Sequence, residues 1–167
     1  IARETIEIFA PLAERLGITQ FQTELEDTSF DILYPEMRES IQNRLEFLAA
    51  ESENTIPRIC QELQSIISNA GTECQVSGRR KSAYSIWRKM QHRQMSMDQL
   101  ADIMAFRIIV PTVSHCYAAL GTVHTHYPMV MGRMKDYIST PKRNGYRSIH
   151  TGVIGPLNRR IEIRIRT

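Results

Sequence analysis

The sequence holds only three cysteines, Cys60, Cys74 and Cys116, an odd number, far apart and in no C-x-x-C spacing. Neither a disulfide framework nor a thiolate zinc site is expected from them, and reduced buried thiols fit better. No run approaches the ~20 apolar residues that span a bilayer. No charged-then-apolar segment opens the chain, so a cytoplasmic protein without a membrane partner is expected. The G-x-x-x-x-G-K-[ST] spacing of a P-loop is missing. So are an RNP aromatic pattern and a KH-type G-x-x-G, which weakens an RNA-binding reading. Acids are scarce in the second part: residues 76–167 hold four, Asp98, Asp102, Asp136 and Glu162.

Against those four stand sixteen Lys/Arg, while residues 1–75 carry five Lys/Arg and fourteen Asp/Glu, so the overall charge of +3 conceals a split. Two units are expected, the second built to hold polyanions. A solvated basic face is the alternative, but it leaves a large self-repulsion without counter-ions. The 167 residues suffice for one domain or two small ones with a proper core. The chain opens without Met and stops at Arg166-Thr167, directly after a strand-like run, as a piece of something longer would.

The first part reads as helical scaffold. Ile6, Phe9, Ala10, Ala13 and Leu16 recur at helical spacing, and Gly17 is a stop. Thr19 is a candidate cap for a second helix with Phe21, Leu25 and Phe30 inward. Pro35 fits the first turn of a third, striped by Met37, Ile41, Leu45 and Leu48. A fourth spans about 55–69, with Gly71 beyond its end. Residues 73–77 suggest a short strand. Residues 78–91, GRRKSAYSIWRKMQ, suggest a turn and a helix, with Gly78, Arg79 and Lys81 at a helix entry suited to an anion. Tyr84 and Trp87 read as core anchors. Residues 97–110 run from a short helix into a strand, which from Ile103 to Val110 is apolar enough for burial on both faces. Residues 113–126 form a helix striped by Val113, Tyr117, Leu120 and Val123. Its His124 and His126 lie two apart and are not read as metal ligands.

The most unusual stretch is 132–151, GRMKDYISTPKRNGYRSIHT, with five Lys/Arg, two tyrosines, one histidine, two glycines, one proline and one acid. Lys and Arg meet phosphate oxygens, a ring stacks on a base, and glycine lets backbone come close. A basic hairpin with Asn-Gly at its tip reads almost as well. A strand at 149–154 and a Gly155-Pro156 turn follow. The closing run 160–166 alternates strictly: Ile161, Ile163 and Ile165 face one way, and Glu162, Arg164 and Arg166 the other. Glu162 is then either ion-paired or a metal ligand, and the pattern leaves both open. Phosphoryl chemistry needs Mg²⁺, which takes one or two carboxylates, and the two strand-borne acids, Asp102 and Glu162, form the natural pair.

Five blocks in order then resemble the RelA/SpoT family of (p)ppGpp synthetases: G-R-x-K-x-x-Y-S-I-x-R-K-M (78–90), D-I-x-A-x-R (102–107), C-Y-x-x-L-G-x-V-H (116–124), G-R-x-K-D-Y-I-x-x-P-K-x-N-G-Y-x-S-I-H-T (132–151) and I-E-I-x-I-R-T (161–167). The N-terminal segments resemble the connection between that family's hydrolase and synthetase domains. The Arg133-x-Lys135-Asp136 variant resembles the bifunctional members. The resemblance implies an α+β fold, a nucleotidyltransferase-like mixed β-sheet flanked by helices and preceded by a helical segment. It implies a connecting region at 1–71 and a synthetase domain at 72–167, with the hydrolase metal site upstream, so that hydrolysis is not expected of this chain. The implied reaction moves the β,γ-pyrophosphoryl group of ATP onto the 3′-hydroxyl of GDP or GTP, with Mg²⁺ as cofactor. By residue, it implies Arg79, Lys81, Lys89, Arg107 and Lys135 around ATP. Arg133, Lys142, Asn144, Tyr146 and His150 fall around the guanine nucleotide, with Tyr146 stacked on the base. Asp102 and Glu162 are implied as catalytic and metal-binding. Further partners would be the hydrolase and regulatory domains of a longer chain, with no direct nucleic-acid partner. One departure stands out: Arg164 replaces the family's usual Gln and shares a strand face with Glu162. A sensor with the same pocket but impaired catalysis is the alternative this departure suggests.

Overall fold

The computed structural model describes residues 1–50, 54–94 and 104–167, with side chains left out at 48–50, 93 and 157. Its contacts divide the chain into two compact units, Ile1–Ser52 with Lys81–Leu100, and Glu53–Arg80 with Ala101–Thr167. The predicted site at Asp102 and the predicted short helix after residue 97 lie outside the described residues.

The first unit is helical. A stretch of α1 (Ala2–Glu4) widens to π geometry over Thr5–Phe9 and continues as α2 (Ala10–Leu16). Gly17 ends it at φ 76°, a left-handed turn that costs glycine little, and the Ile18 N–H reaches back to the Ala13 carbonyl at 3.0 Å. Helices α3 (Thr19–Leu33) and α4 (Pro35–Ala50) follow. The N-cap of α3 is Ile18, not Thr19, whose hydroxyl donates to the Gly17 carbonyl at 3.4 Å. Phe21 and Met37, expected inside, are exposed, while Phe30, Ile41 and Leu45 are buried. Leu48 lies outside the described side chains. Beyond α5 (Thr55–Asn69), which belongs to the second unit, α6 (Ala83–Arg93) returns to the first. Its Trp87 ring lies 5.1 Å from Phe30 and 4.8 Å from Tyr34, and Tyr84 is buried, so both are core anchors as expected. The buried carboxylate of Glu26 accepts from Arg88 at 3.3 Å and from Gln22 at 2.9 Å. Burial pushes its pKa up despite these donors.

The second unit is a five-stranded mixed sheet with two helices on one face. In spatial order the strands are β1 (Gln75–Arg80), β2 (Met104–Ile109), β5 (Arg160–Arg166), β4 (Ile149–Ile154) and β3 (Lys135–Asp136). Only β2 and β5 run parallel; the other pairs are antiparallel. Helices α5 and α7 (Val113–His126) supply Ile59, Leu63, Ile67, Cys116, Ala119, Leu120 and Val123 to the core. The sheet answers with Phe106, Ile108, Ile149, Val153, Ile161, Ile163 and Ile165. Each fully buried Ile side chain contributes roughly 1.5–3 kcal/mol. The period-2 pattern of β5 therefore fixes which of its faces meets the helices.

Three expectations give way here. Gly78, Arg79 and Arg80 lie inside β1 instead of in a turn at a helix entry, because Gly78 pairs with Phe106 and the strand carries on to Arg80. A Cβ on Gly78 would come within 2.7 Å of Phe106 and of Ile56, so glycine is what lets β1 lie against its neighbours. Helix α6 starts only after Ser82, whose hydroxyl caps the Ser85 N–H at 3.3 Å. Strand β2 is buried on one face only: Phe106 and Ile108 are covered, whereas Arg107 and Ile109 are exposed. The buried side of α7 is Cys116, Ala119, Leu120 and Val123, with Val113 and Tyr117 outside. The cysteines are free thiols. Among the described residues no helix is long and apolar enough to cross a membrane.

Candidate functional site

The sheet face turned away from α5 and α7 gathers most of the polar residues that the sequence singled out. Cross-strand partners share a face, so the register reads the site directly. One row runs Arg79, Ala105, Glu162 and Gly152 across β1, β2, β5 and β4. The next runs Ser77, Arg107, Arg164, His150 and Lys135 across all five strands. Among the described residues, four cations from four strands thus lie in one row or its neighbour beside the carboxylate of Glu162. Gly152 matters to this surface: a Cβ there would come within 3.0 Å of the Arg133 side chain, which therefore lies over β4 opposite Glu162.

On its strand face Glu162 is paired with Arg164. Arg164 donates to Glu162 Oε1 from Nε and again from Nη2, each at 3.0 Å. The pair is partly exposed, with 23% of the Glu162 side chain and 39% of Arg164 open to solvent. A groove of about 250 Å³ beside it is lined by Ser77, Arg79, Ala105, Arg107 and Arg164.

An aromatic corner adjoins the second row. Tyr146 Oη and His150 Nε2 are 2.9 Å apart, and the rings of Tyr137, Tyr146 and His150 meet edge to face with centroids 5.2–6.1 Å apart. Lys142 Nζ stands 5.1 Å from the Tyr137 ring and 5.4 Å from that of Tyr146, and the Arg166 guanidinium lies 6.0 Å from Tyr146. A tight turn shapes the loop: the Tyr146 N–H donates to Asn144 Oδ1 at 3.2 Å, and Gly145 takes φ 75°. Asp136 anchors its start by accepting from the N–H groups of Ile138 and Ser139 at 2.8 and 3.0 Å and from Tyr117 Oη at 3.0 Å. Those bonds, the Ser139 N–H foremost, hold the Asp136 carboxyl below its usual range. The hairpin reading of 132–151 holds: β3 and β4 pair antiparallel, and the loop between them carries the aromatic corner.

Burial pulls the His150 pKa down to about 4, helped by the charges of Arg164, Lys142 and Lys135 and opposed by Glu162. A neutral imidazole among cations can trade a hydrogen bond with the tyrosine without adding to their repulsion. His124, on the covered face, bonds Thr151 Oγ1 at 2.8 Å. Among the described residues no three His, Cys, Asp or Glu side chains assemble as a metal cluster.

The structure therefore brings together Arg79, Arg107, Arg133, Lys135, Lys142, Asn144, Tyr146, His150 and Glu162 in the second unit. Lys81 and Lys89 belong to the first unit, Lys81 just before α6 and Lys89 on it. The alternation of β5 had already put Arg164 and Arg166 on the face of Glu162, as the structure shows. Tyr137 joins the surface without having been placed there from sequence; it arrives through loop closure, which leaves no local pattern.

A family model described as "Region found in RelA / SpoT proteins" matches residues 78–167. The chain belongs to the RelA/SpoT family. Over its full 167 residues it is 45% identical to the GTP pyrophosphokinase rsh of Brucella melitensis, covering 22% of that protein. It is 44% identical to the bifunctional (p)ppGpp synthase/hydrolase SpoT of Escherichia coli, again over all of this chain and 24% of the relative. The chain thus spans between a fifth and a quarter of the length of these RelA/SpoT relatives. The crystal structure of the small alarmone synthetase 1 from Bacillus subtilis bound to its product pppGpp superposes with a TM-score of 0.61. At 24% identity it covers 75% of this chain and 73% of the other. It shares the fold, helices followed by a mixed sheet, that the resemblance implied.

Proposed function

We propose that this RelA/SpoT chain is a (p)ppGpp synthetase module, transferring the β,γ-pyrophosphoryl group of ATP to the ribose 3′-hydroxyl of GDP or GTP. The observation that carries the reading is the carboxylate of Glu162 amid strand-borne cations, with an aromatic corner at Tyr146 alongside. In the proposed step the 3′-oxygen attacks the β-phosphorus, the bridging bond to the α-phosphate breaks, and AMP leaves with that bridging oxygen. Glu162 takes the hydroxyl proton. Arg79 and Arg107 hold the donor phosphates in the groove, offsetting repulsion that grows as the two nucleotides approach. Tyr146 stacks on the guanine, while Lys142, Asn144, Arg133 and His150 set the acceptor's position. Lys135 completes the donor side, and Lys81 and Lys89 keep the ATP role that the family resemblance implies. In keeping with the division of charge, residues 72–167 would be the synthetase domain and 1–71 the connecting region, in a cytoplasmic protein with hydrolase and regulatory domains.

Mg²⁺ fits the donor set: a hard carboxylate oxygen lies on a face rich in phosphate-binding groups, and Mg²⁺ takes one or two carboxylates plus phosphate oxygens. Glu162 and Asp102 would hold it, Asp102 being outside the described residues. When bound, the ion neutralises charge developing on the transferring phosphates. The Arg164–Glu162 ion pair favours a second reading, a guanine-nucleotide sensor whose carboxylate is tied up. Incubation with Mg²⁺, labelled ATP and GDP, followed by thin-layer chromatography, separates the two. AMP with a tetraphosphorylated guanosine means synthetase; saturable GDP binding without product means sensor. Neither product nor binding would end both readings.

A further inference from the structure

Arg164 stands where the groove, the carboxylate and the aromatic corner meet. It lines the groove with Arg79 and Arg107, bonds Glu162, and is the register partner of His150. Its contact with Glu162 spends two N–H donors on a single oxygen, Oε1, instead of matching both forks of the carboxylate. A pair this exposed is weak, since solvent screens it and both side chains lose rotamer freedom to make it. Three guanidiniums along one groove also repel each other, and the carboxylate offsets only part of that. A polyphosphate chain brings more negative charge than one carboxylate, and its oxygens match the guanidinium fork.

We propose that Arg164 is an exchangeable clamp: its guanidinium rests on Glu162 without ligand and moves to the polyphosphate of a nucleoside triphosphate entering the groove. Occupancy of the groove and the parting of Arg164 from Glu162 are then one event, so Arg164 leaves the carboxylate only when a donor nucleotide is present. This rests on the nucleotide-binding reading above and deepens it by naming the groove residue that couples donor binding to Glu162. Linkage sets a ceiling on the exchange: whatever weakens the hold of Glu162 on Arg164 strengthens triphosphate binding by at most the same factor.

The test is a double-substitution cycle read by calorimetric titration with α,β-methylene-ATP, whose carbon bridge blocks cleavage at the scissile position. EDTA is present so that no divalent ion contributes. Wild type, Glu162→Gln, Arg164→Gln and the double variant are compared, after matched circular-dichroism melts establish that each is folded. Glu162→Gln should tighten binding about two- to fivefold, the scale of a part-exposed ion pair. Arg164→Gln should weaken it about tenfold, the scale of a charge-assisted contact. In the Arg164→Gln background, Glu162→Gln should have little further effect, because the guanidinium it would release is gone. An equal gain in both backgrounds means that Glu162 acts only through its general charge, and overturns the clamp while leaving nucleotide binding intact. Unchanged affinity in Arg164→Gln overturns it too. Wild-type binding that appears only when Mg²⁺ replaces EDTA overturns the clamp, and no binding in either condition removes the functional reading itself.

Discussion

Gly78 offers the sharpest separation between a glycine that serves a ligand and one that serves the fold. Placed at a helix entry, it reads as a phosphate-approach glycine; placed in β1, it faces the core. A Cβ there would come within 2.7 Å of Phe106 Cε1, 2.8 Å of Phe106 Cδ1 and 2.7 Å of Ile56 Cγ2. All three distances are shorter than a real Cβ contact, and Phe106 is 1% exposed, so its ring has nowhere simple to go. Gly78→Ala should therefore act as core overpacking, costing about 1–3 kcal/mol. For a protein of this length that is about 3–10 °C in Tm. Total stability is typically 5–15 kcal/mol, so the variant should still fold at 20 °C. Thermal unfolding by circular dichroism gives the loss, and titration with α,β-methylene-ATP at 20 °C shows whether the groove survives. Adding Phe106→Leu should relieve part of the clash, so the two losses should fall short of adding, by about 0.5–3 kcal/mol for residues in contact. An unchanged Tm with abolished nucleotide binding would refute the packing argument and return Gly78 to the ligand.

His150, with its pKa lowered from 6.5 to about 4, should show imidazole NMR shifts that titrate near 4; a midpoint near 6.5 would contradict its burial. The sign for stability follows, because the unfolded chain takes up the proton first as pH falls. His150 contributes fully above pH 6.5, and the contribution drains away down to about 4, at no more than about 1.4 kcal/mol per pH unit. Tyr146→Ala should raise the KM for GDP about tenfold or more and that for ATP far less, since a stacked base is worth about 1–3 kcal/mol; equal rises would deny the ring its guanine role. Asp102→Ala and Glu162→Ala should each abolish Mg²⁺-dependent turnover with melting curves close to wild type, and normal turnover in either would remove that carboxylate from the chemistry.

Helices whose apolar spacing is strong were legible almost to the residue. The expected 55–69 and 113–126 coincide with α5 and α7 in extent, as do the strand at 149–154 and the alternating β5. Their inward faces were less legible, as Phe21, Met37, Val113 and Tyr117 show, because helical periodicity offers overlapping stripes and only a partner element chooses among them. Strand β2 misled in a similar way. An apolar run suggests burial on both faces, but the second face here is the open one that carries Arg107.

Local spacing was enough to determine the helices of the N-terminal part, the strands at 149–154 and 160–166, the split faces of β5 and the family to which the motifs point, but not that α5 packs with the sheet and α6 with the first helices. What only tertiary structure could decide is company. Register sets Arg79, Arg107, Arg164, His150 and Lys135 in two adjacent rows with Glu162, and ties Glu162 to Arg164. The reason is physical: alternation within one strand follows from backbone geometry alone, whereas the residue that stands opposite on the next strand depends on how separate elements bury their apolar faces together.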